Sequence, residues 1–452
     1  MPLTPLGLRM GFREMPDSVT PLTGYRTRNV SMPAAQSISS NRRTAMFALT
    51  DKDNNLCLPL SGRDPLGTQT VWQRRARDIV PNLTAASRLS EGFHILLVVL
   101  AWWPVMAARK DVPKPKLKEF FLLMEQAFAR ASRCADVPWT LPGNRRLNDG
   151  EPGLWISLEK SAHLLDNQLT NGVWGLYRGP ALNAGLIDEQ NRICSAGLET
   201  RIRACSPIVG TLLRQIAEWF AEGPHAAPLS LAKRSSHGIV AGLNGILEDR
   251  PLKREIRETF VVPEDSQITI DLAKMLKTKD SLSSGVRAFV TNAIDALPQH
   301  AAPLANVVAC EQFIAPLDAI FEEVCSAEER DVDRVAGQLK IDLADLRTAR
   351  NRFAVAGGYD GLSRERADAL LALDLSSART LVVSLIEHHA AISESRRSAA
   401  WITLDESGRL DCSLTTTPPG PAGLSPTTAW RNGYYLHALH DLAHQVGTRE
   451  AR

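Results

Sequence analysis

The sequence predicts a mainly α-helical, multi-helix globular protein with a minor β-hairpin near its C-terminus. Apolar residues recur at three- and four-residue steps through most of the chain, which is the spacing of one helix face. Patterns typical of strands are few. Of the 452 residues, 44% are hydrophobic and 23% are charged. This composition excludes a fully disordered chain and a collagen-like repeat.

Charge and composition divide the chain into three parts. Residues 1–55 are rich in Pro, Ser, Thr, Asn and Arg, and they predict a disordered extension because they bury too little apolar surface to offset ordering entropy. A basic helical domain is expected over 56–225, and an acidic helical domain with the small β element over 226–452. Residues 1–146 contain 21 Lys and Arg against 11 Asp and Glu, a net charge of +10, whereas the remainder carries −8.

In the basic domain, a helix is expected through VWQRRARDIVPNL, from residue 71. The apolar run from Phe93 to Trp103, closed by Pro104, is about half of the roughly 20 residues that a membrane span needs, so it predicts a buried core helix. Beyond a loop at 136–153, helices are expected from Ser157 to about residue 188. Before that loop, a further helix is expected, whose apolar residues share one face. They are Leu117, Phe120, Phe121, Met124, Ala127 and Phe128.

Further helical patterns cover 207–223, 239–260, 267–298, 302–325 and about 427–446. Two stretches have the alternation of strands, FVVPEDSQITI near 260–270 and AWITLDESGRLDC at 400–412. The second has Glu406, Ser407 and Gly408 near its middle, which predicts a short β-hairpin.

The seven cysteines are widely spaced and form no CxxC pair. This usage favours reduced thiols over a disulfide scaffold or a cysteine-based zinc site. The first residues lack the sustained apolar segment of a signal peptide, so a cytoplasmic location is expected. The phosphate-binding patterns GxxxxGK[ST] and GxGxxG are absent, as are HExxH and GxSxG. No cofactor is expected.

Basic clusters in the N-terminal half are candidate nucleic-acid contacts, because each neutralised phosphate releases counterions. The alternative is a solvated face, or a surface that meets an acidic protein. The candidate residues are Arg74, Arg75, Arg77, Lys114, Lys116 and Lys118.

Residues 327–353 have the pattern of a helix-turn-helix, with Arg347, Arg350 and Arg352 on the exposed face of the second helix. Long basic side chains at that place reach base edges. Residues 311–375, however, hold 14 acidic against 8 basic residues, which opposes close approach to DNA. A helix-turn-helix regulator is therefore an alternative function, and an ordinary helical hairpin is the other interpretation.

A histidine cluster near the C-terminus is a candidate metal site. Its members, spaced to share one helix face, are His437, His440, Asp441 and His444. Four residues on one straight helix cannot all reach one ion, so a metal site needs a further segment, with His388 or His389 as candidates. A metal-dependent hydrolase or nuclease is thus a second alternative, while we expect a solvated polar stripe.

Two segments carry a resemblance. Segment 62–97 holds the turn Asp64-Pro65-Leu66-Gly67 and an Arg-rich helix followed by Pro81-Asn82-Leu83-Thr84, and segment 171–188 holds the stretch from Tyr177 to Leu186. In these features the chain resembles an uncharacterised bacterial family whose genes lie in defence islands, beside helicase, methyltransferase and phospholipase-D-like genes.

The resemblance implies a role alongside DNA-handling enzymes and transfers no catalytic residue. Together with the charge polarity, it favours a non-catalytic subunit of a bacterial DNA-associated system, such as an anti-phage defence system. The expected partners are other proteins of that system, and DNA through the basic N-terminal half. No membrane contact is expected.

Overall fold

Helices account for most of the described chain, which comprises residues 64–111, 116–134, 141–147, 154–222, 227–231, 233–418 and 420–447 of a computed structural model. In these ranges helix makes up 65% of the structure, which confirms the predicted mainly α-helical fold. The predicted extension at 1–55 lies outside the described residues.

The helices are α1 (Thr68–Ile79), α2 (Ser90–Ala107), α3 (Leu117–Cys134), α4 (Gln168–Asn171), α5 (Val173–Asn183), α6 (Ala196–Cys205), α7 (Pro207–Glu222), α8 (Lys233–Leu247), α9 (Arg250–Phe260), α10 (Gln267–Met275), α11 (Gly285–Ala296), α12 (Ala301–Ser326), α13 (Val332–Gln338), α14 (Leu343–Ala356), α15 (Gly361–Leu371), α16 (Ala378–Ser395) and α17 (Leu436–Val446).

The described residues also contain two antiparallel strand pairs and short 3₁₀ turns at Asn144–Arg146, Lys160–Ala162, Pro298–His300 and Pro421–Leu424. The first pairs β1 (Leu154–Ile156) with β2 (Leu229–Leu231), and the second pairs β3 (Ile402–Leu404) with β4 (Leu410–Cys412). The second pair confirms the predicted hairpin. In its turn the Gly408 N–H donates to the Asp405 carbonyl at 3.1 Å, and the φ of Gly408 is +82°, a conformation that favours glycine.

By packing, the chain forms two compact units. Among the described residues, the large unit lies within 69–311, 355–363 and 430–447, and the small unit lies within 64–68, 312–354 and 364–429. This division differs from the predicted boundary at residue 225, because α8 packs against α3 and α9 packs against α17 within the large unit. Contacts between distant parts of the sequence define these units, and the charge pattern does not report them.

The core of the large unit is built around α2 and α3. Residues 92–101 of α2 are buried, as predicted for a core helix, and the helix continues through Pro104 to Ala107. Two helical stretches, Ser90–Ala107 and Pro298–Ser326, are long and apolar enough to cross a membrane, but 67% of each apolar window is buried inside the structure. Core helices of globular proteins have the same length, apolar composition and burial, so the two stretches are weak evidence for a membrane span.

Helix α3 is buried on all sides between residues 120 and 132, whereas the sequence predicts one buried face. The predicted apolar face is inside, and the opposite face brings Glu125 and Gln126 into the interior as well. The Gln126 side chain donates to the Ser157 carbonyl and accepts the Ser157 N–H. No helix begins at Ser157, since a 3₁₀ turn at Lys160–Ala162 and then α4 follow it, so the helix predicted from Ser157 is wrong.

Two further predictions are wrong. The strand near 260–270 is absent, because α9 runs to Phe260 and α10 begins at Gln267, with Pro263 in the connection, where it offers no N–H to a ladder. The last helix begins at Leu436 rather than near residue 427. Residues 430–435 form an irregular turn instead.

In the small unit, two histidines of α16 bind the turn at 64–67. His388 Nε2 lies 2.8 Å from the Leu66 carbonyl, and His389 Nδ1 lies 2.9 Å from the Pro65 carbonyl. The Trp401 N–H donates to His389 Nε2 at 2.8 Å, which assigns the ring proton to Nδ1. Both ring nitrogens of His389 and Nε2 of His388 therefore have structural partners.

Candidate functional site

A cleft of about 1020 Å³ opens in the large unit. Three arginines and one carboxylate lie among an otherwise mostly apolar lining. We call it the arginine cleft, and it is lined by Ala86, Arg88, Leu89, Arg133, Leu141, Pro142, Gly143, Asn144, Arg146, Leu147, Leu165, Leu176, Tyr177 and Asp441.

The segments that carry the family resemblance, 62–97 and 171–188, meet at this cleft. The ring of Phe93 packs edge-on against the ring of Tyr177, with centroids 5.0 Å apart. A Cβ atom on Gly92 would lie 2.2 Å from Tyr177 Cζ, so only glycine permits this approach. The Leu89 N–H donates to Tyr177 Oη at 3.4 Å. Leu89 and Tyr177, one from each segment, therefore line the same part of the arginine cleft.

The arginines come from three different elements of the large unit. Arg88 precedes α2, Arg133 lies at the end of α3, and Arg146 lies in a 3₁₀ turn at Asn144–Arg146. Arg146 donates to the exposed Asp166 carboxylate at 2.7 Å. This hydrogen bond lowers the pKa of Asp166 and raises that of Arg146. Because the pair is exposed, it contributes little to stability and leaves Arg146 available to a ligand.

The carboxylate of the cleft belongs to the C-terminal histidine helix. Asp441 Oδ2 accepts hydrogen bonds from Nε and Nη2 of Arg88, each at 2.6 Å, while its Oδ1 lies 3.0 Å from His440 Nδ1. The other ring nitrogen of His440 lies 3.2 Å from the Thr278 carbonyl. Both nitrogens of His440 therefore face acceptors of the chain itself.

The predicted metal site is not formed. Within the described ranges, no group of three or more His, Cys, Asp or Glu side chains is placed to hold an ion. His440 and Asp441 are engaged as above, His437 is exposed, and the ring of His444 packs edge-on against that of His440 with centroids 4.5 Å apart. The expected solvated stripe is also wrong, because His440 and His444 are half-buried.

The predicted nucleic-acid residues are only partly accessible. Arg75 is 3% exposed, lies 4.1 Å from the Tyr359 ring centroid and pairs with Asp78, so it cannot reach a phosphate. Arg74 pairs with Asp78 and Asp360. Both guanidinium groups therefore have partners inside the large unit, although Nε and Nη2 of Arg75 are buried without a hydrogen-bond partner.

Arg77, Lys116 and Lys118 are exposed, and Lys114 lies outside the described residues. The two lysines border a second, smaller cavity of about 510 Å³ together with Leu122, Leu158 and Trp174. They do not line the arginine cleft.

The helix-turn-helix pattern contains two helices, α13 and α14, and α13 packs against α16. Arg347 donates to the carbonyls of Leu375 and Ser376, and Arg350 donates to the Leu373 carbonyl. Arg352 donates to Gln312. The side chains predicted to read bases are thus hydrogen-bonded within the small unit, which disfavours the regulator alternative.

A buried carboxylate holds the turn before α17, and sequence reasoning missed it. Glu311 accepts hydrogen bonds from the N–H groups of Arg431 and Asn432, from Asn432 Nδ2 at 3.0 Å and from Tyr434 Oη at 2.7 Å. Burial raises the pKa of Glu311 against these donors, which lower it. Tyr434 and Tyr435 both have positive φ, +46° and +61°.

Strain of this kind costs free energy and persists only where surrounding contacts fix it. Glu311 supplies those contacts. The turn that it holds leads into α17, which places Asp441 at the arginine cleft. An isolated carboxylate in the apolar stretch of α12 is the signal that identifies such a residue in the sequence.

A second buried carboxylate, Glu125, contacts the start of α5. It accepts the Val173 N–H at 2.7 Å, and a Cβ on Gly172 would lie 2.5 Å from its Oε1. Burial raises the pKa of Glu125 to about 7, opposed by hydrogen bonds from Val173 and Gln168. Its position in the core indicates a structural role.

Comparisons with protein-family models, with curated proteins and with solved structures find no match to this chain. The functional assignment therefore rests on the site itself.

Proposed function

We propose that the chain is a non-catalytic, cytoplasmic subunit of a bacterial DNA-associated system, such as an anti-phage defence system, and that it contacts DNA phosphates through the arginine cleft. The observation that carries the proposal is the convergence of Arg88, Arg133 and Arg146 on one cavity with a single opposing carboxylate. In this proposal the main DNA contact is the arginine cleft and not the surface around Arg75 that the sequence predicts.

Arginine is suited to this role because its planar guanidinium donates two parallel hydrogen bonds to a phosphate. Phosphate contacts position a protein on DNA without reading its sequence. The arginine cleft has no base-reading helix, so binding is expected to be independent of sequence. This matches a subunit that holds DNA for other proteins of its system.

The cytoplasmic location is supported by the thiols. Five cysteines of the described ranges are free, namely Cys194, Cys205, Cys310, Cys325 and Cys412. Burial raises the pKa of Cys310 to about 12, so this thiol stays protonated and unreactive. Protein partners and the defence role remain part of the proposal through the family resemblance.

The test is DNA binding by fluorescence anisotropy with a labelled duplex. Arg146→Gln is the cleanest variant, because its partner Asp166 is exposed and the fold does not depend on the pair. We expect about tenfold weaker binding, since a hydrogen bond to a charged group contributes about 1.5–3 kcal/mol. Arg192→Gln is the matched control, because Arg192 is an exposed arginine paired with Asp188 outside the cleft.

Three outcomes contradict the proposal: no DNA binding by the wild-type protein, an equal loss in the Arg192 variant, or a loss confined to a Lys116→Gln/Lys118→Gln double variant. The last outcome would place the contact at the exposed lysines instead. Circular dichroism of each variant verifies that the helical fold is retained.

A further inference from the structure

We infer that the arginine cleft holds one nucleotide, with its phosphate among the three arginines and its base against the apolar lining. The inference rests on the proposed function, since it names the ligand unit of the same site. It covers two sources of one chemistry: a free nucleoside monophosphate, and the terminal nucleotide of a nucleic-acid strand that carries a phosphate.

The size of the cleft argues against a bare phosphate. Small-molecule sites enclose about 300–1,000 Å³, and this cleft encloses about 1020 Å³. A phosphate ion would occupy a small part of that volume and leave the rest as solvent against apolar walls. A ligand with an anionic group and a flat, weakly polar body uses both parts of the lining.

The lining has those two parts. The basic part of the lining, which would bind the anionic group of the ligand, consists of Arg88, Arg133 and Arg146. The remainder is dominated by apolar side chains from four segments, namely Ala86, Leu89, Leu141, Pro142, Leu147, Leu165 and Leu176. A nucleobase presents an apolar face that packs on such side chains and on guanidinium planes.

One polar atom of the wall is suited to contact the ligand. The Tyr177 hydroxyl accepts the Leu89 N–H, so its own proton can be donated to a ligand atom. Burial raises the pKa of Tyr177 above its usual range, opposed by the Leu89 hydrogen bond. The hydroxyl therefore keeps that proton at neutral pH.

Asp441 sets the affinity of the site. Its carboxylate accepts a hydrogen bond from Arg88, and it would lie beside an incoming phosphate of the same sign. Removing the charge while keeping the shape, as in Asp441→Asn, should relieve this competition. The effect expected from a partly exposed like-charge contact is about two- to fivefold tighter binding.

The experiment is isothermal titration calorimetry of the full chain with deoxyadenosine monophosphate, deoxyadenosine and inorganic phosphate as separate probes. We expect the monophosphate to bind at least tenfold more tightly than either fragment. Arg146→Gln should weaken the monophosphate about tenfold, Asp441→Asn should tighten it, and Arg192→Gln should leave it unchanged. Leu165→Gln should weaken the monophosphate without affecting phosphate.

Two results overturn the inference: no binding of the monophosphate, or binding of inorganic phosphate as tight as that of the monophosphate. Weaker or unchanged binding by Asp441→Asn overturns the role of that carboxylate. A short single strand with and without a 5′-phosphate separates the two sources, because a strand-end site prefers the phosphorylated strand and a site for free nucleotides binds neither.

The outcomes also separate this inference from the proposed function. If duplex DNA binds through Arg146 and the monophosphate does not bind, the nucleotide inference fails and the DNA proposal stands. If the monophosphate binds through Arg146 and no DNA binds, the DNA proposal fails and the nucleotide site stands.

Discussion

His94 shows how strongly this fold determines the state of a single residue. It is fully buried in α2, its Nδ1 lies 2.6 Å from the Ser90 carbonyl, and its Nε2 has no hydrogen-bond partner. Burial lowers the pKa of His94 to about 4, opposed by the Ser90 carbonyl, while Lys253 lowers it and Asp249 and Glu248 raise it. The ring is therefore neutral in the folded protein.

This shift predicts a loss of stability in mild acid. The folded pKa lies below the usual value of about 6.5, so the unfolded chain takes up the proton first as the pH falls. The contribution of neutral His94 is fully present above pH 6.5 and is lost as the pH falls towards 4. By pH 5 the loss is about 2 kcal/mol of unfolding free energy.

Urea unfolding of the wild type and of His94→Gln at pH 7.5 and pH 5.0 measures this term. Glutamine cannot take up a proton, so the variant should lose about 2 kcal/mol less between the two pH values. His388 and His389 also have pKa values lowered by burial. Both proteins contain these two histidines, so their contribution cancels in the comparison. The prediction is wrong if both proteins show the same pH dependence.

At the scale of elements, local pattern predicted the helices better than it predicted their ends. The periodic apolar positions of α2, α3 and α7 identify helices that the structure contains, and the turn residues near Gly408 identify the hairpin. The missed start of α17 has a non-local cause, because Glu311, more than a hundred residues earlier, binds the backbone N–H groups of the preceding turn.

For the candidate site, the sequence shows several of the residues involved but not that they lie together. Basic character in the N-terminal half, the histidine helix and the two resembling segments are all visible in the sequence. Their meeting at one cleft is not, because Arg88 and Asp441 are 353 positions apart. The burial of Arg75 depends on Tyr359, which is also distant in the sequence, and no local signal distinguishes Arg75 from the exposed Arg77.

The turn before α17 yields a prediction of its own. Glu311→Gln keeps the shape but replaces one acceptor oxygen with a donor that faces other donors, so we expect a loss of about 2 kcal/mol of unfolding free energy. Amide hydrogen exchange in α17 should accelerate, because its N-terminal turn loses its anchor. Tyr434→Phe removes one of these hydrogen bonds and should cost about 1 kcal/mol.

The control is Glu258→Gln, on the exposed side of α9, which should leave both stability and exchange unchanged. Equal exchange rates in α17 of the wild type and the Glu311 variant would show that the anchor is not needed.

For the whole molecule, charge is the property that decides how it meets DNA. The formal net charge is only +2, so there is little long-range attraction, and binding must come from local groups. Many basic side chains are already paired inside the units, as Arg74, Arg75 and Arg347 illustrate. The number of phosphates neutralised should therefore be small, and the arginine cleft offers three guanidinium groups.

The salt dependence of DNA binding measures that number. Each phosphate contact on duplex DNA contributes a slope of about −0.9 to the logarithm of affinity against the logarithm of salt concentration. One phosphate shared by the three arginines predicts a slope of about −0.9, and three separate phosphates predict about −2.7, whereas the six residues proposed from sequence alone would give about −5.4. Arg146→Gln should make the slope shallower, and the Lys116→Gln/Lys118→Gln variant should leave it unchanged. A slope near −5, or one that changes only in the lysine variant, would assign DNA binding to the exposed basic surface, because counterion release counts the contacts wherever they lie.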